Sequence, residues 1–244
     1  MCSTDAKTGI YRCKVVTHDY LFFTTLGFRD TTLTRYIGNY ALIYAINRNI
    51  QTIQRNASGT KPFYQEDLSK VLIYATPAAL SSDKLTPLAV DKSIEWTSHP
   101  KAYVTFNSVN TLTQMTETGR ANLPQIGRKA KYPPLNSFNF FAIGGNPAGI
   151  IRLGKKQIPC RVFTTPLKIE QVSEDLFEPS HPVNPSDLPD FSPKEIDRAE
   201  IVYQTPPLLV NVRLRAEHYI CTDGRNKFYI AKPDPIKYLH VSLP

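Results

Sequence analysis

The chain has 244 residues, 41% of them hydrophobic and 20% charged, with a formal net charge of +8. That apolar share excludes a disordered tail, and the length suits one large α+β domain or two small ones. No apolar run approaches a membrane span and no signal peptide precedes Ile10, so the chain reads as cytoplasmic.

Ile10–Val16 predicts the first strand, with Tyr11, Cys13 and Val15 facing one way and Arg12 and Lys14 the other. Leu21–Thr25 continues the extended, aromatic character. Thr34 can cap a helix from about Arg35 to Asn47, whose inner face would be Ile37, Tyr40, Ala41, Tyr44 and Ala45. Gly38 inside that helix costs up to about 1 kcal/mol relative to Ala, which predicts a close neighbour there. Further strands are expected at Val71–Thr76, Lys101–Val109, Ser137–Ile143, Gly149–Leu153, Ile158–Thr164 and Val210–Thr222. The last alternates Val210, Val212, Leu214 and Ala216 with Asn211, Arg213, Arg215 and Glu217. Asp223-Gly224 then turns the chain into Phe228–Ala231 as a hairpin. Strand, helix, then many strands predicts α+β with an antiparallel sheet, and twenty prolines against eleven glycines favour short strands joined by stiff loops. Residues 1–244 read as a single domain, with an inserted β-hairpin arm within 110–134 and an acidic, proline-rich loop at 173–200.

The charge is unevenly spread. Between Lys101 and Lys168 stand ten Lys/Arg and one acid, Glu117, a net +9 that exceeds the charge of the whole chain. From Ile169 to Gln204 nine acids face only Lys194 and Arg198, a net −7. A positive field so concentrated is the footprint of a site for a polyanion. Tyr103, Phe106, Tyr132, Phe138, Phe140 and Phe141 would offer stacking planes to a nucleic acid. Gly127, Gly144, Gly145, Gly149 and Gly154 would let backbone approach phosphates. A solvated basic face is the plain alternative, less favoured because such faces seldom lack acids so completely.

Enzyme motifs are mostly missing. Ile143-Gly144-Gly145-Asn146-Pro147-Ala148-Gly149 has neither the Lys-Ser/Thr of a phosphate loop nor dinucleotide-turn spacing. Cys2, Cys13, Cys160 and Cys221 form no CxxC pair, so no structural metal is expected, and no cofactor is implied. His18, His99, His181, His218 and His240 are scattered. His18-Asp19 as an acid–base pair is less favoured than a structural His near a strand end. Binding is favoured over catalysis. Two alternatives stay open: a metal-independent endoribonuclease and a stand-alone single-stranded RNA-binding module.

At Arg152-Leu153-Gly154-Lys155-Lys156-Gln157-Ile158-Pro159 the chain resembles the CRISPR-associated Cas-five proteins. Tyr11-Arg12-Cys13, Leu21-Phe22-Phe23, Tyr36-Ile37-Gly38-Asn39-Tyr40-Ala41-Leu42, Asn122 to Arg128 and His181 to Asp187 narrow the resemblance to the type I-D branch, the Csc-one family. Gly38 stands where that family often has His. The resemblance implies a RAMP-type, ferredoxin-like (RRM-like) core. It also implies a non-catalytic subunit of a Cascade-like effector complex that caps the 5′ handle of the crRNA. The implied partners are a backbone (Cas-seven-like) subunit, a large (Cas-ten-like) subunit and target double-stranded DNA near the protospacer-adjacent motif.

Arg128, Lys129, Lys131, Arg152, Lys155 and Lys156 are the expected phosphate contacts, with Arg120 on the arm. Asn39 and Tyr40 are expected at a base or ribose, against the competing reading of Tyr40 as core. His181, Asn184 and Asp187 are expected at a subunit contact, though a proline-stiffened structural loop explains them equally well.

Overall fold

The computed structural model describes residues 9–23, 30–31, 34–50, 53, 64–81, 103–107, 125–129, 131–132, 134–189 and 195–244. In chain order the strands are β1 (Ile10–Thr17), β2 (Asp30–Thr31), β3 (Tyr36–Ile37), β4 (Tyr74–Ala75), β5 (Ala78–Leu80), β6 (Tyr103–Asn107), β7 (Gln125–Lys129) and β8 (Ser137–Ile143). There follow β9 (Gly149–Leu153), β10 (Ile158–Ser173), β11 (Leu176–Phe177), β12 (Ile196–Val202), β13 (Leu208–Arg215), β14 (His218–Thr222) and β15 (Lys227–Ala231). The α-helices among the described residues are α1 (Asn39–Asn49) and the short α2 (Tyr64–Leu68).

The architecture is mostly antiparallel sheet with few helices, as the α+β reading expected. A nine-stranded sheet runs β15-β14-β10-β1-β8-β5-β3, with β4 also on β8 and β9 also on β10. The alternation of β1 decides its two faces. Cys13 and Val15 turn inward with their partners Phe138 and Phe140 on β8 and Val162 on β10. Leu42, Ile43 and Ile46 of α1 join the same core, together with Ile151 and Leu153 of β9.

Several expectations change. The helix starts at Asn39, because Tyr36 and Ile37 pair with Ala79 and Ala78 as strand β3, and Gly38 is its N-cap. Its buried residues are Asn39, Leu42, Ile43, Tyr44, Ile46 and Asn47, a face rotated from the predicted one. Tyr132, Phe138, Phe140 and Phe141 are at most 5% exposed, so they build the core and offer no stacking surface to a ligand. The run Val210–Thr222 divides at Ala216 into β13 and β14, which lie in different sheets. The acidic stretch 173–200, expected as a loop, contributes β11 and most of β12 to a three-stranded sheet ordered β11-β13-β12. Its described residues pack on a second core of Phe177, Val183, Leu188, Leu209, Val212 and Leu214. Of the expected arm, β7 pairs antiparallel with β6 and parallel with β2. Residues 108–124, with Arg120, lie outside the described residues.

Candidate nucleic-acid interface

The basic residues of the site are held by an extended segment, Leu21–Phe22, that is clamped from both sides. On one side Leu21 and Tyr132 exchange backbone hydrogen bonds of 3.0 and 2.7 Å. The Nζ of the neighbouring Lys131 lies 5.3 Å from the centre of the Phe22 ring. On the other side the Lys155 N–H donates to the Phe22 carbonyl at 3.0 Å. Lys131, directly downstream of the β7 region, and the β9–β10 turn therefore meet around one residue. Lys155 and Lys156 are exposed on that turn, and Arg152 of β9 is exposed beside it, its guanidinium donating to the Gln157 carbonyl at 3.2 Å. Arg128 and Lys129 lie on β7, where Arg128 pairs with Val104 and Asp30, and Lys129 with Tyr103 and Thr31.

Gly154 has another purpose than the one its sequence context suggested. Its φ is +72°, and an added Cβ would lie 2.6 Å from Leu21 Cδ1 and 2.8 Å from the Phe22 carbonyl oxygen. The room left by its missing side chain is filled by this segment of the protein and not by a phosphate. The glycine sets the turn against Leu21–Phe22, and thereby sets where the two lysines stand.

Asn39, Tyr40, His181, Asn184 and Asp187 are also brought together, but inside the protein. Asp187 is 1% exposed, and its carboxylate accepts from six side chains. Lys237 Nζ donates at 2.6 Å, the hydroxyls of Tyr238, Tyr40 and Tyr74 at 2.7, 3.3 and 3.4 Å, and Asn184 Nδ2 at 3.3 Å. Asn39 Nδ2 is the sixth donor, and its own Oδ1 accepts from Asn184 at 3.1 Å. Asn39 is thus enclosed and turned away from any base or ribose, and the Tyr40 hydroxyl is engaged by Lys237 at 2.6 Å. Burial works against the Lys237 ammonium, yet the Asp187 charge and the hydrogen bonds of Asp187 and Tyr40 outweigh it and raise its pKa. Burial, and then the Asp187 charge, push the hydroxyls of Tyr74 and Tyr238 up, so both stay protonated donors.

His181 sits nearby with its ring 5.9 Å from Phe141, edge-on. Its Nδ1 is 2.6 Å from the Pro182 carbonyl, and its Nε2 accepts the Ala231 N–H at 3.2 Å. The expected subunit contact is therefore corrected. His181, Asn184 and Asp187 bond within the chain and are at most 8% exposed. Their contacts are those of a junction inside the chain.

Residues 8–240 match the family of the type I-D CRISPR-associated protein Cas5/Csc1. The chain belongs to this family. No curated protein matches it.

Two groups of residues in this Cas5/Csc1 chain escaped the sequence reading. Lys14 and Arg161 lie on the same sheet face as Arg152, since Arg161 pairs with Val16 and Ile150, and Arg152 with Pro159. The alternation of β1 had already put Lys14 opposite Cys13 and Val15, and that signal was available. Lys237, Tyr74 and Tyr238 complete the Asp187 cluster from distant parts of the chain, and no local pattern marks them. Among the described residues no group of three or more His, Cys, Asp or Glu is placed to hold a metal ion. No described helix is long and apolar enough to cross a membrane.

Proposed function

We propose that this Cas5/Csc1 chain is a non-catalytic subunit of a type I-D CRISPR effector complex, gripping the 5′ handle of the crRNA. In that role it bridges the backbone and large subunits. The observation that carries the reading is the gathering of Lys131, Lys155 and Lys156 around Phe22, beside the face that bears Arg152 and Arg161. A single strand is held by cations on its phosphates and by surfaces against its splayed bases, and such a strip suits it. Contact with target DNA beside the protospacer-adjacent motif belongs to the same proposal, because a basic face serves either polyanion. So does the ferredoxin-like core, which the central position of β1 between β8 and β10, with α1 on the inner side, supports. The non-catalytic reading draws on two of the five histidines. His181 is enclosed as described, and His218 is stacked on Phe177 at 3.8 Å.

The test is co-expression of the chain with the neighbouring complex subunits and a repeat–spacer array, followed by zero-length crosslinking. The RNA's 5′ end should crosslink to this subunit. A complete complex whose 5′ end never joins this chain would refute the grip. Incubation of the purified chain with repeat RNA in EDTA checks catalysis, and cutting at one defined position would replace this reading with the ribonuclease.

A further inference from the structure

The geometry points to a base-stacking site on the outer face of the large sheet, centred on Phe163. The inference rests on the single-strand reading above and locates where one nucleobase would lie. Phe163 is 52% exposed in the middle of β10, although the strand's alternate positions Val162 and Cys160 are 3% and 0% exposed. A phenyl ring held on a strand and half in water is a flat apolar surface, left uncovered by the described residues. Aromatic platforms for single strands have this form.

Its surroundings favour a nucleotide over an apolar partner. Lys14 is the direct cross-strand partner of Phe163, and Arg161 precedes it by two positions on the same face. Arg152 lies further along that face on β9, toward the turn that carries Lys155 and Lys156. The acid that meets this face among the described residues, Asp223, is paired with Arg12 at 3.5 Å. A base on the ring would therefore have its flanking phosphates among cations that lead toward the proposed grip.

The backbone leaves room for it. On the side away from β1, β9 pairs with β10 only as far as Gly149 opposite Val162, and β14 begins only at Thr222 opposite Lys168. Among the described strands nothing pairs with β10 on that side between these points, and an added Cβ on Gly149 would meet nothing within 4 Å. Phe163 lies at the start of this notch.

The experiment titrates the full chain against a fluorescently labelled single-stranded RNA 15-mer and against a duplex of the same sequence, at several salt concentrations. Phe163→Ala should weaken single-strand binding by about 5- to 100-fold, as loss of one base stack does, without changing the salt slope. Phe163→Tyr should bind as the parent does. Phe163→Leu, apolar but not flat, should resemble the Ala variant. Duplex binding, where bases are already stacked, should not move. Wild-type affinity from Phe163→Ala or Phe163→Leu, or an equal loss on duplex, overturns the stacking site. In those cases the grip still stands if Lys155→Ala with Lys156→Ala flattens the salt dependence. A parent chain that binds no single strand at low salt overturns both. If Phe163→Ala melts early, the contrast between Phe163→Tyr and Phe163→Leu decides, and 2-aminopurine quenching in the parent complex gives a reading that needs no variant.

Discussion

The β9–β10 turn and the Asp187 cluster are both built from charged residues that tie distant segments together, and they use charge in opposite ways. At the turn the fastening is done by backbone: Lys155 N–H to the Phe22 carbonyl, with Gly154 fitted against Leu21. The ammonium groups of Lys155 and Lys156 stand outside and remain available to a partner. At the cluster the charges themselves do the fastening. Asp187 and Lys237 are 2% and 23% exposed in their side chains and join the start of α1, β4, the 184–187 turn and the C-terminal residues 237–238. A buried carboxylate costs several kcal/mol in lost hydration, and it is tolerated here because six donors replace the water. The same residue types thus specify the fold in one place and stand exposed to solvent in the other.

The largest effect should come from opening the cluster. Asp187→Ala leaves a half-buried ammonium and the donors of Tyr74 and Tyr238 without their acceptor, and should cost about 3–5 kcal/mol in urea unfolding. Lys237→Met should cost less, because its ammonium is partly exposed and the carboxylate keeps its other donors. A loss below about 1 kcal/mol for Asp187→Ala would mean that apolar packing alone holds the C-terminal residues.

His181 predicts a milder, pH-dependent effect at the same junction. Burial holds its pKa at about 4, below the ordinary value of 6.5, with the Pro182 hydrogen bond opposing in part. Between those two values the unfolded chain binds more protons than the folded one, so acidification favours unfolding. The stability that the neutral ring confers is fully present above about pH 6.5. It is lost progressively toward pH 4, up to about 3 kcal/mol. A second proton would sit on Nε2, where the Ala231 N–H already points. Melting temperatures across this range should fall in the parent more steeply than in His181→Gln, and parallel curves would assign the acid sensitivity to other groups.

The two regions also differ in how far the sequence revealed them. The basic strip was legible because it is a matter of composition: a run almost without acids declares itself whatever the fold, and Lys155 and Lys156 do stand exposed. Among the strands of the large sheet, β1 was legible from its alternation. The cluster was not. Asn39, Asp187 and Lys237 meet only through tertiary packing, so Asn39 and Asp187 could be singled out but their partners could not. The aromatics of β8 were misjudged for a related reason. Phe138 and Phe140 have the composition of stacking residues, and only their register opposite Val15 and Cys13 shows them to be core. Phe163, two strands away on β10 and facing the other way, reaches solvent.

The smallest effect on stability, and the sharpest on binding, belongs to Lys155 and Lys156. Their fastening is by backbone, so replacing both with Ala removes charge without removing what holds the turn. Unfolding free energy should change by no more than about 0.5 kcal/mol. If each lysine meets one phosphate of a single strand, the log–log salt dependence of RNA binding should flatten by about 1.4, at roughly 0.7 per contact. The loss should be the same for any sequence, because phosphate contacts position the strand without reading it. Gly154→Ala supplies the contrast: it keeps both charges but drives a Cβ into Leu21 and the Phe22 carbonyl at a φ of +72°. If placement matters as much as charge, that variant should lose affinity although no cation is gone. A double-lysine variant with an unchanged slope and normal folding would show these ammonium groups facing solvent or a protein subunit, and would move the grip to the β7 side of Phe22.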